Sequence, residues 1–409
     1  MGSIASIVLA ARGVRAVADG FVSLTLPLYL LALGYTPLQV GLISTSTLLG
    51  SAALSLVVGV YATRIGYRHA LLGAALLMIA TGIAFTRVRD FWPLLVVAFV
   101  GTLNPSSGDV SVFLPLEHAV LSDAASAERR TGIFARYSLV GAVGGALGAL
   151  LAGVPQLMTG SALHVPSVVG LQAMFLLYAL LGFAAWTLYR RLPFRADDAG
   201  KASREAPLRE SRGIVLTLAG LFSVDAFAGG LIVQSMLSLW LVQRFALTPA
   251  ELGALFFGTS LLAGASYVIA APLARRFGLI NTMVFTHIPS SIALMAIPFV
   301  NDVSIAVALL LVRSALSQMD VPTRSSYVMA VVTPAERPAA ASATAVPRSL
   351  AAAGSPLLTG FLLTLSPFGW PLVMAGAIKI GYDVTLLMLF RNVRPPEERR
   401  EAFAATTRR

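Results

Sequence analysis

The sequence predicts an all-α membrane protein with twelve transmembrane helices in two pseudo-symmetric six-helix bundles. Three observations carry this. Of 409 residues, 57% are hydrophobic and 12% charged, with a mean hydropathy of +0.80; a soluble chain of this size needs far more polar surface. Apolar runs of about twenty residues, the length that crosses a bilayer core, recur along most of the chain. The stretch "YTPLQVGLISTSTLLGSAALSLVVGVYATRIGYR" from Tyr35 returns without a gap 212 residues later as "LTPAELGALFFGTSLLAGASYVIAAPLARRFGLI" from Leu247.

Gly, Pro and clustered charges mark the span ends. Span one, 8–33, stops at Gly34, and span two, 38–61, opens behind Thr36-Pro37. Span three, 70–87, lies between Arg68 and the external Arg87 and Arg89; span four, 91–117, carries "NPSSGD" inside it. Span five, 132–153, follows Arg129-Arg130, and span six, 169–189, ends at Arg190-Arg191. In the second half the spans are 213–242, 249–273, 279–299, 303–330, 340–365 and 370–390, delimited by Thr248-Pro249, Gly278, Asp302, Pro338 and Gly369. Continuous apolarity, without two-residue alternation, favours a helical bundle over a barrel.

The longest polar stretch separates spans six and seven. The expected domains are therefore a bundle over 1–189, a cytoplasmic loop over 190–212, a bundle over 213–391 and a cytoplasmic tail over 392–409. With the N-terminus inside, twenty Lys and Arg face the cytoplasm and only Arg87, Arg89 and Arg244 face outward. That bias puts both termini in the cytoplasm. It also accounts for the net charge of +11, so nucleic acid is not an expected partner. The tryptophans Trp92, Trp186, Trp240 and Trp370 fall at span ends, as an interfacial belt requires.

No basic segment precedes the first apolar run, so a cleaved signal peptide is not expected. Met1-Gly2 with Ser6 matches a myristoylation pattern, but one weak anchor adds nothing to a polytopic chain. There is no cysteine, and His69, His118, His164 and His287 show no ligand spacing, so no metal or cofactor is expected. The 28 arginines against two lysines suggest a GC-rich bacterial genome and hence the bacterial cytoplasmic membrane.

Both copies of the repeat have one orientation, so the halves are parallel repeats about an axis along the membrane normal. Such pairs build transporters that rock around a site between their halves. Other positions follow the repeat: Asp19 and Asp225 in Asp-x-Phe, Asp109 and Asp320 before Val, "AER" at 127–129 and 335–337, and Arg136 with Arg348.

The whole chain resembles the major facilitator superfamily. The loop after span two in that family reads Gly-x-x-x-Asp-Arg-x-Gly-Arg-Arg. Gly59, Arg64, Gly66 and Arg68 match it here, Thr63 replaces the acid, and the second copy keeps Arg276 and Gly278. The resemblance implies a cytoplasmic gate involving Arg64 and Arg276, and a monomer. "GAVGGALGALLAG" in span five is similar to the glycine-rich antiporter motif of drug exporters, without its proline.

A charge at bilayer depth costs about 2.5–3.5 kcal/mol or more, so each one needs a partner or a wet cavity. Arg15 with Asp19, Asp320 with Arg324, and Lys379 with Asp383 are spaced i,i+4 and can pair on one helix face. Asp19 and Asp225 lie on spans one and seven, which line the cavity in the family. They are read as proton-coupling or substrate-recognising acids, with Arg15 as a structural alternative partner for Asp19. Asp109 and Asp320 lie about 27 Å along spans that start outside, near Arg136 and Arg348. Two symmetric bridges, Asp109–Arg136 and Asp320–Arg348, would form an inner gate.

Arg313 and Lys379 have no counterpart in the first half, so they are candidate ligands for an anionic substrate. Pairing with Asp320 and Asp383 is the structural alternative. Asn104 and Ser107 at the break in span four, Gln234 of span seven and Tyr29 of span one are expected near the cavity. The glycines of span five permit close helix approach.

The expected function is proton-coupled export of a small organic molecule by alternating access, in a lipid bilayer and without a cofactor. The alternative is an organic-anion exchanger or uniporter using Arg313 and Lys379. A lipid scramblase or membrane enzyme is more remote, since no nucleophile, base and oxyanion set is present. No phosphate-binding loop of the G-x-x-x-x-G-K-[ST] type appears, which argues against ATP hydrolysis.

Overall fold

A computed structural model describes residues 2–106, 111–124, 127–159, 166–193, 208–333 and 336–391. Among them the secondary structure is helical, and nine segments are long and apolar enough to cross a membrane.

Every predicted span coincides with one helix or a broken pair. The first half contains α1 (Gly2–Ala32), α2 (Pro37–Ile65), α3 (Tyr67–Arg87), α4 (Phe91–Val100), α5 (Phe113–Ala124), α6 (Ala127–Leu151), α7 (Val154–Thr159) and α8 (Ser167–Arg190). The second contains α9 (Arg212–Leu231), α10 (Gln234–Phe245), α11 (Pro249–Phe277), α12 (Leu279–Ala296), α13 (Val303–Ser317), α14 (Asp320–Val331), α15 (Arg337–Leu365) and α16 (Trp370–Phe390).

The sequence repeat is also a repeat of geometry. In both copies Thr caps the helix and a Gln or Glu three residues on reaches back to it. Gln39 Oε1 accepts from the Thr36 amide at 2.9 Å, and Glu251 Oε2 from the Thr248 amide at 2.8 Å. The reciprocal bonds, from the amides of Gln39 and Glu251 to the Thr hydroxyls, are both 3.3 Å. This is a capping box with Pro at the first helical position, where its missing N–H costs nothing. Each helix ends at a glycine, Gly66 or Gly278, with φ of 87°. The repeat keeps glycine there because a Cβ would be strained. The preceding turn is repeated as well, with Gly34 at φ 87° and Ala246 at φ 53°.

Three spans break. Span four opens after Val100 and resumes at Phe113, as its Asn-Pro-Ser-Ser-Gly content predicts. Span ten breaks at Gln318–Met319, the corresponding place in the repeat, without a proline there. Span seven breaks at Ile232–Val233 just after Gly229-Gly230, a pair that weakens helix propensity.

The chain forms two compact units. The first contains residues 1–202, 232–261 and 353–368. In it α1 packs on α6 and α8, α3 on α8, and α2 on α4. Glycine allows the α1–α6 approach: a Cβ on Gly20 would run into the Gly145 carbonyl, and one on Gly148 into the Val17 carbonyl. At another close crossing, a Cβ on Gly360 would stand 2.5 Å from the Pro37 carbonyl and 3.1 Å from Gly41 Cα. The second unit contains 203–231, 262–352 and 369–409. There α12 packs on α13, α14 and α16, and α16 also packs on α9. Its core joins Val215, Leu218, Phe222, Val284, Tyr327, Tyr382 and Leu386.

Candidate functional site

Each unit buries one network of charged and hydroxyl side chains. In the second unit the hub is Asp225 on α9, 4% exposed. Its Oδ1 accepts from Lys379 Nζ on α16 at 2.6 Å, and its Oδ2 from Arg324 Nη2 on α14 at 3.0 Å. Arg324 also pairs with Asp320, one turn earlier on α14. His287 on α12 lies between two carboxylates. Its Nδ1 is 3.0 Å from Asp383 Oδ1, its Nε2 3.9 Å from Asp225 Oδ1 and 3.4 Å from Lys379 Nζ. Asp225, Asp320, Asp383, His287, Arg324 and Lys379 are all buried. The guanidinium of Arg324 lies over the Phe222 ring at 5.2 Å. At such depth charges persist only when paired, and here the pairing is shared among four helices.

In the first unit the hub is Glu117 on α5, fully buried. Tyr137 and Tyr189 each donate to it at 2.6 Å, and Arg15 pairs with its Oε2. Arg15 also donates to the Tyr189 hydroxyl at 3.1 Å and lies over the Phe113 ring at 4.0 Å. Asp19, one turn further along α1, is within electrostatic range of Tyr178 on α8. The Tyr178 hydroxyl donates to the Thr102 carbonyl at 2.8 Å. The two acids of the repeat therefore have unlike neighbours: Asp19 is within electrostatic range of Arg15 and Tyr178, whereas Asp225 is hydrogen-bonded by a lysine and an arginine.

Several expected pairings change. The hydrogen bonds of Arg15 go to Glu117 and Tyr189, because α1 is flush against α8 and α5 offers a carboxylate. Lys379 reaches across to Asp225, and its i,i+4 neighbour Asp383 pairs with His287. Asp225, for which the sequence shows no adjacent base, has two. The Asp320–Arg324 pair forms within one helical turn, and Asp320–Arg348 does not, because Arg348 is exposed while Asp320 is buried beside Arg324. Arg348 is exposed and makes no recorded ion pair among the described residues.

Arg313 is half-buried on α13, and none of the described residues pairs with its guanidinium. Asp320 is not its partner.

Of the remaining candidates, Asp109 and Ser107 lie outside the described residues, as does the side chain of Arg64. Arg136 is exposed, and exposed Arg276 lies 5.4 Å over the Phe277 ring. Tyr29 is fully buried and donates to the Phe85 carbonyl at 2.7 Å, which ties α1 to α3. Asn104 is buried, and its Oδ1 accepts from Ser106 Oγ at 2.7 Å and the Ser106 amide at 3.1 Å. Next to it the Pro105 carbonyl accepts the Ser235 amide at 3.0 Å, joining the break in span four to that in span seven. Gln234, half-buried, begins α10 at that junction.

Two central residues escaped the sequence reading. Glu117 stood at the predicted edge of span four, but α5 runs on to Ala124 and places it inside. His287 has no ligand spacing and no charged i,i+4 neighbour to mark it in sequence. Its counterpart 212 residues earlier is Ala75, so the asymmetry that singles out Arg313 also singles out His287.

The profile of the Major Facilitator Superfamily matches residues 8–241 and again 218–408. The chain belongs to that family and is a small-molecule transporter, not an enzyme. It is 25% identical over 412 residues to the uncharacterized membrane protein YJR124C of Saccharomyces cerevisiae, covering 93% of this chain and 92% of that one. Solved structures share the fold. They include the nucleoside transporter NupG, with 10% identity, TM-score 0.69 and coverage of 95% and 99%. An inward-facing, occupied bacterial homologue of the human lysosomal transporter Spinster has 13% identity, TM-score 0.69 and 95% coverage of both chains. The human organic anion transporter MFSD10 has 16% identity, TM-score 0.62 and coverage of 94% and 99%.

Proposed function

We propose that the protein is a proton-coupled secondary transporter that exports a small organic molecule by alternating access, the charged centre around Asp225 linking proton movement to transport. The observation that carries this is Asp225 itself, buried in a broken span between a lysine and an arginine from two other helices. Such a group can exchange ionic partners without moving its helix, which a transport cycle requires. The direction rests on the glycine-rich span five. Both termini inside rests on the arginine distribution, and the bacterial cytoplasmic membrane on the arginine-to-lysine ratio. The two sequence halves, 1–189 and 213–391, act as the rocking bundles, and a single chain suffices.

The test is uptake into proteoliposomes under an imposed pH gradient, with nucleosides, organic anions, organic cations and neutral compounds as probes. At least one should follow the gradient and stop when a protonophore collapses it. Movement indifferent to the gradient would remove proton coupling.

Arg313 favours a second reading, an organic-anion exchanger, because none of the described residues engages its guanidinium. Arg313→Ala would then abolish transport of anions alone.

A further inference from the structure

The second unit's centre contains three carboxylates, Asp225, Asp320 and Asp383, but only two fixed cations, Arg324 and Lys379. With neutral His287 it carries one net negative charge, and a single proton makes it neutral. Asp383 is fully buried, and His287 is its only ion-pair partner among the described residues. A buried carboxylate without a counter-charge is costly, so uptake of a proton by these paired groups is favourable.

We propose that His287 is the proton seat of this centre, and that the proton and the Lys379 ammonium take turns on Asp225. This rests on the proton-coupled reading above and names the residue that loads.

The contact with Asp383 fixes the tautomer: Nδ1–H donates to the carboxylate and Nε2 keeps its lone pair. That lone pair is 3.4 Å from Lys379 Nζ, so the ammonium bridges neutral His287 and Asp225. A proton taken up from solution on Nε2 breaks no covalent bond and turns an acceptor into a donor. Two cations would then be 3.4 Å apart and repel. The new N–H faces Asp225 Oδ1 at 3.9 Å, a gap that closes to a hydrogen bond with a movement of about 1 Å. Asp225 keeps two cationic partners, Arg324 and the imidazolium, and the flexible stem of Lys379 is free to swing. Protonation thus changes a structural lysine into an available ammonium.

Among the described residues, the other charged and titratable groups around His287 come from α9, α13, α14, α15 and α16. From α16 come Lys379, Asp383 and Tyr382, whose ring is edge-on at 6.3 Å. From α9 comes Asp225, and from α14 Asp320 and Arg324, already joined to each other. From α13 comes Arg313, whose backbone carbonyl accepts Ser290 Oγ at 3.3 Å. Exposed Arg348 of α15 is within electrostatic range of Asp225 and Asp320. In the first half the places of His287 and Asp383 fall to apolar positions around Ala75 and Gly182, so the device belongs to one half only.

The test is nuclear magnetic resonance of the full chain in lipid nanodiscs with labelled histidine and lysine. His287 is assigned by its missing signal in His287→Gln, and Lys379 is one of only two lysines. Across the pH range in which the protein stays folded, the His287 Nε2 signal should change from lone pair to N–H, and the Lys379 Nζ signal should change together with it. Lys379→Gln, which removes the facing cation, and Asp383→Asn, which removes the facing carboxylate, should displace the His287 transition in opposite directions. Opposite signs exclude a general loosening of the bundle. A His287 signal that stays constant across that range, or a midpoint indifferent to Lys379→Gln, overturns the proposal. So does a Lys379 signal that ignores the loading of His287. The titration needs no substrate, so failure of the proton-coupled reading in the gradient assay is seen separately.

Discussion

At the scale of the residue, the network around Asp225 makes removal of one charge costlier than removal of a pair. Asp225→Asn leaves Lys379 without its carboxylate and Arg324 with Asp320 alone, and breaking a buried pair typically costs about 3–5 kcal/mol. The single variant should melt well below the wild type, and Asp225→Asn with Lys379→Gln should recover part of the loss. A double variant at least as unstable as the single would show that the lysine is not its partner. Outside the spans, Glu336 accepts from the backbone amides of Arg209, Glu210 and Ser211 at 2.6, 3.0 and 3.0 Å, pinning the entry of α9. The Arg209 amide first, then Ser211 and Glu210, draw its carboxyl down to about 2 from the usual 4.5, against the opposing effect of burial. A lowered folded value means that this staple is fully present above the unfolded value and is lost as pH falls through about 4.5 towards 2. Glu336→Gln should flatten that pH dependence and speed tryptic cleavage at Arg209 and Arg212, read by mass spectrometry. Asp19, Asp225, Arg324 and Lys379 are legible in sequence because charges are rare in such apolar runs. Apart from Asp320 for Arg324, their partners are not, because an i,i+4 rule sees only one helix, and Lys379, Asp383 and Arg15 all bond across to another.

At the scale of the element, the repeat was legible with its physical reasons attached. Thr-Pro-x-x-Gln/Glu encodes the capping box, and Gly66 and Gly278 encode the positive-φ stop. The break in span four is written in Asn-Pro-Ser-Ser-Gly. The break in span ten, at Gln318–Met319, carries no such residues and becomes legible only through its register with span four. The glycines of span five are packing residues for α1. Gly20→Val should therefore prevent that packing and abolish recovery of folded protein from the membrane. Gly73→Val, at a helical glycine with nothing within 4 Å, should be tolerated. Size-exclusion profiles of the two variants that matched each other would remove glycine packing as the reason for the α1–α6 approach.

At the scale of the whole molecule, the family was carried by the length, the apolar spans and the parallel repeat, all sequence features. What the sequence leaves open is which charges meet, and the proposed coupling rests on that. The first half pairs Arg15 with Glu117, which two tyrosines also hydrogen-bond. The second half holds an acid between exchangeable cations. On the reading proposed above, the second network is the coupling centre and the first is scaffold, although Asp19 and Asp225 occupy matching places in the repeat. Proton flux measures this most directly: a pH-sensitive dye inside proteoliposomes, with a transported compound added to wild type, Asp225→Asn and Asp19→Asn. The account predicts substrate-driven proton movement in the wild type that Asp225→Asn abolishes and Asp19→Asn retains. Substrate movement without a proton signal in the wild type, or an unaltered signal in Asp225→Asn, would contradict it.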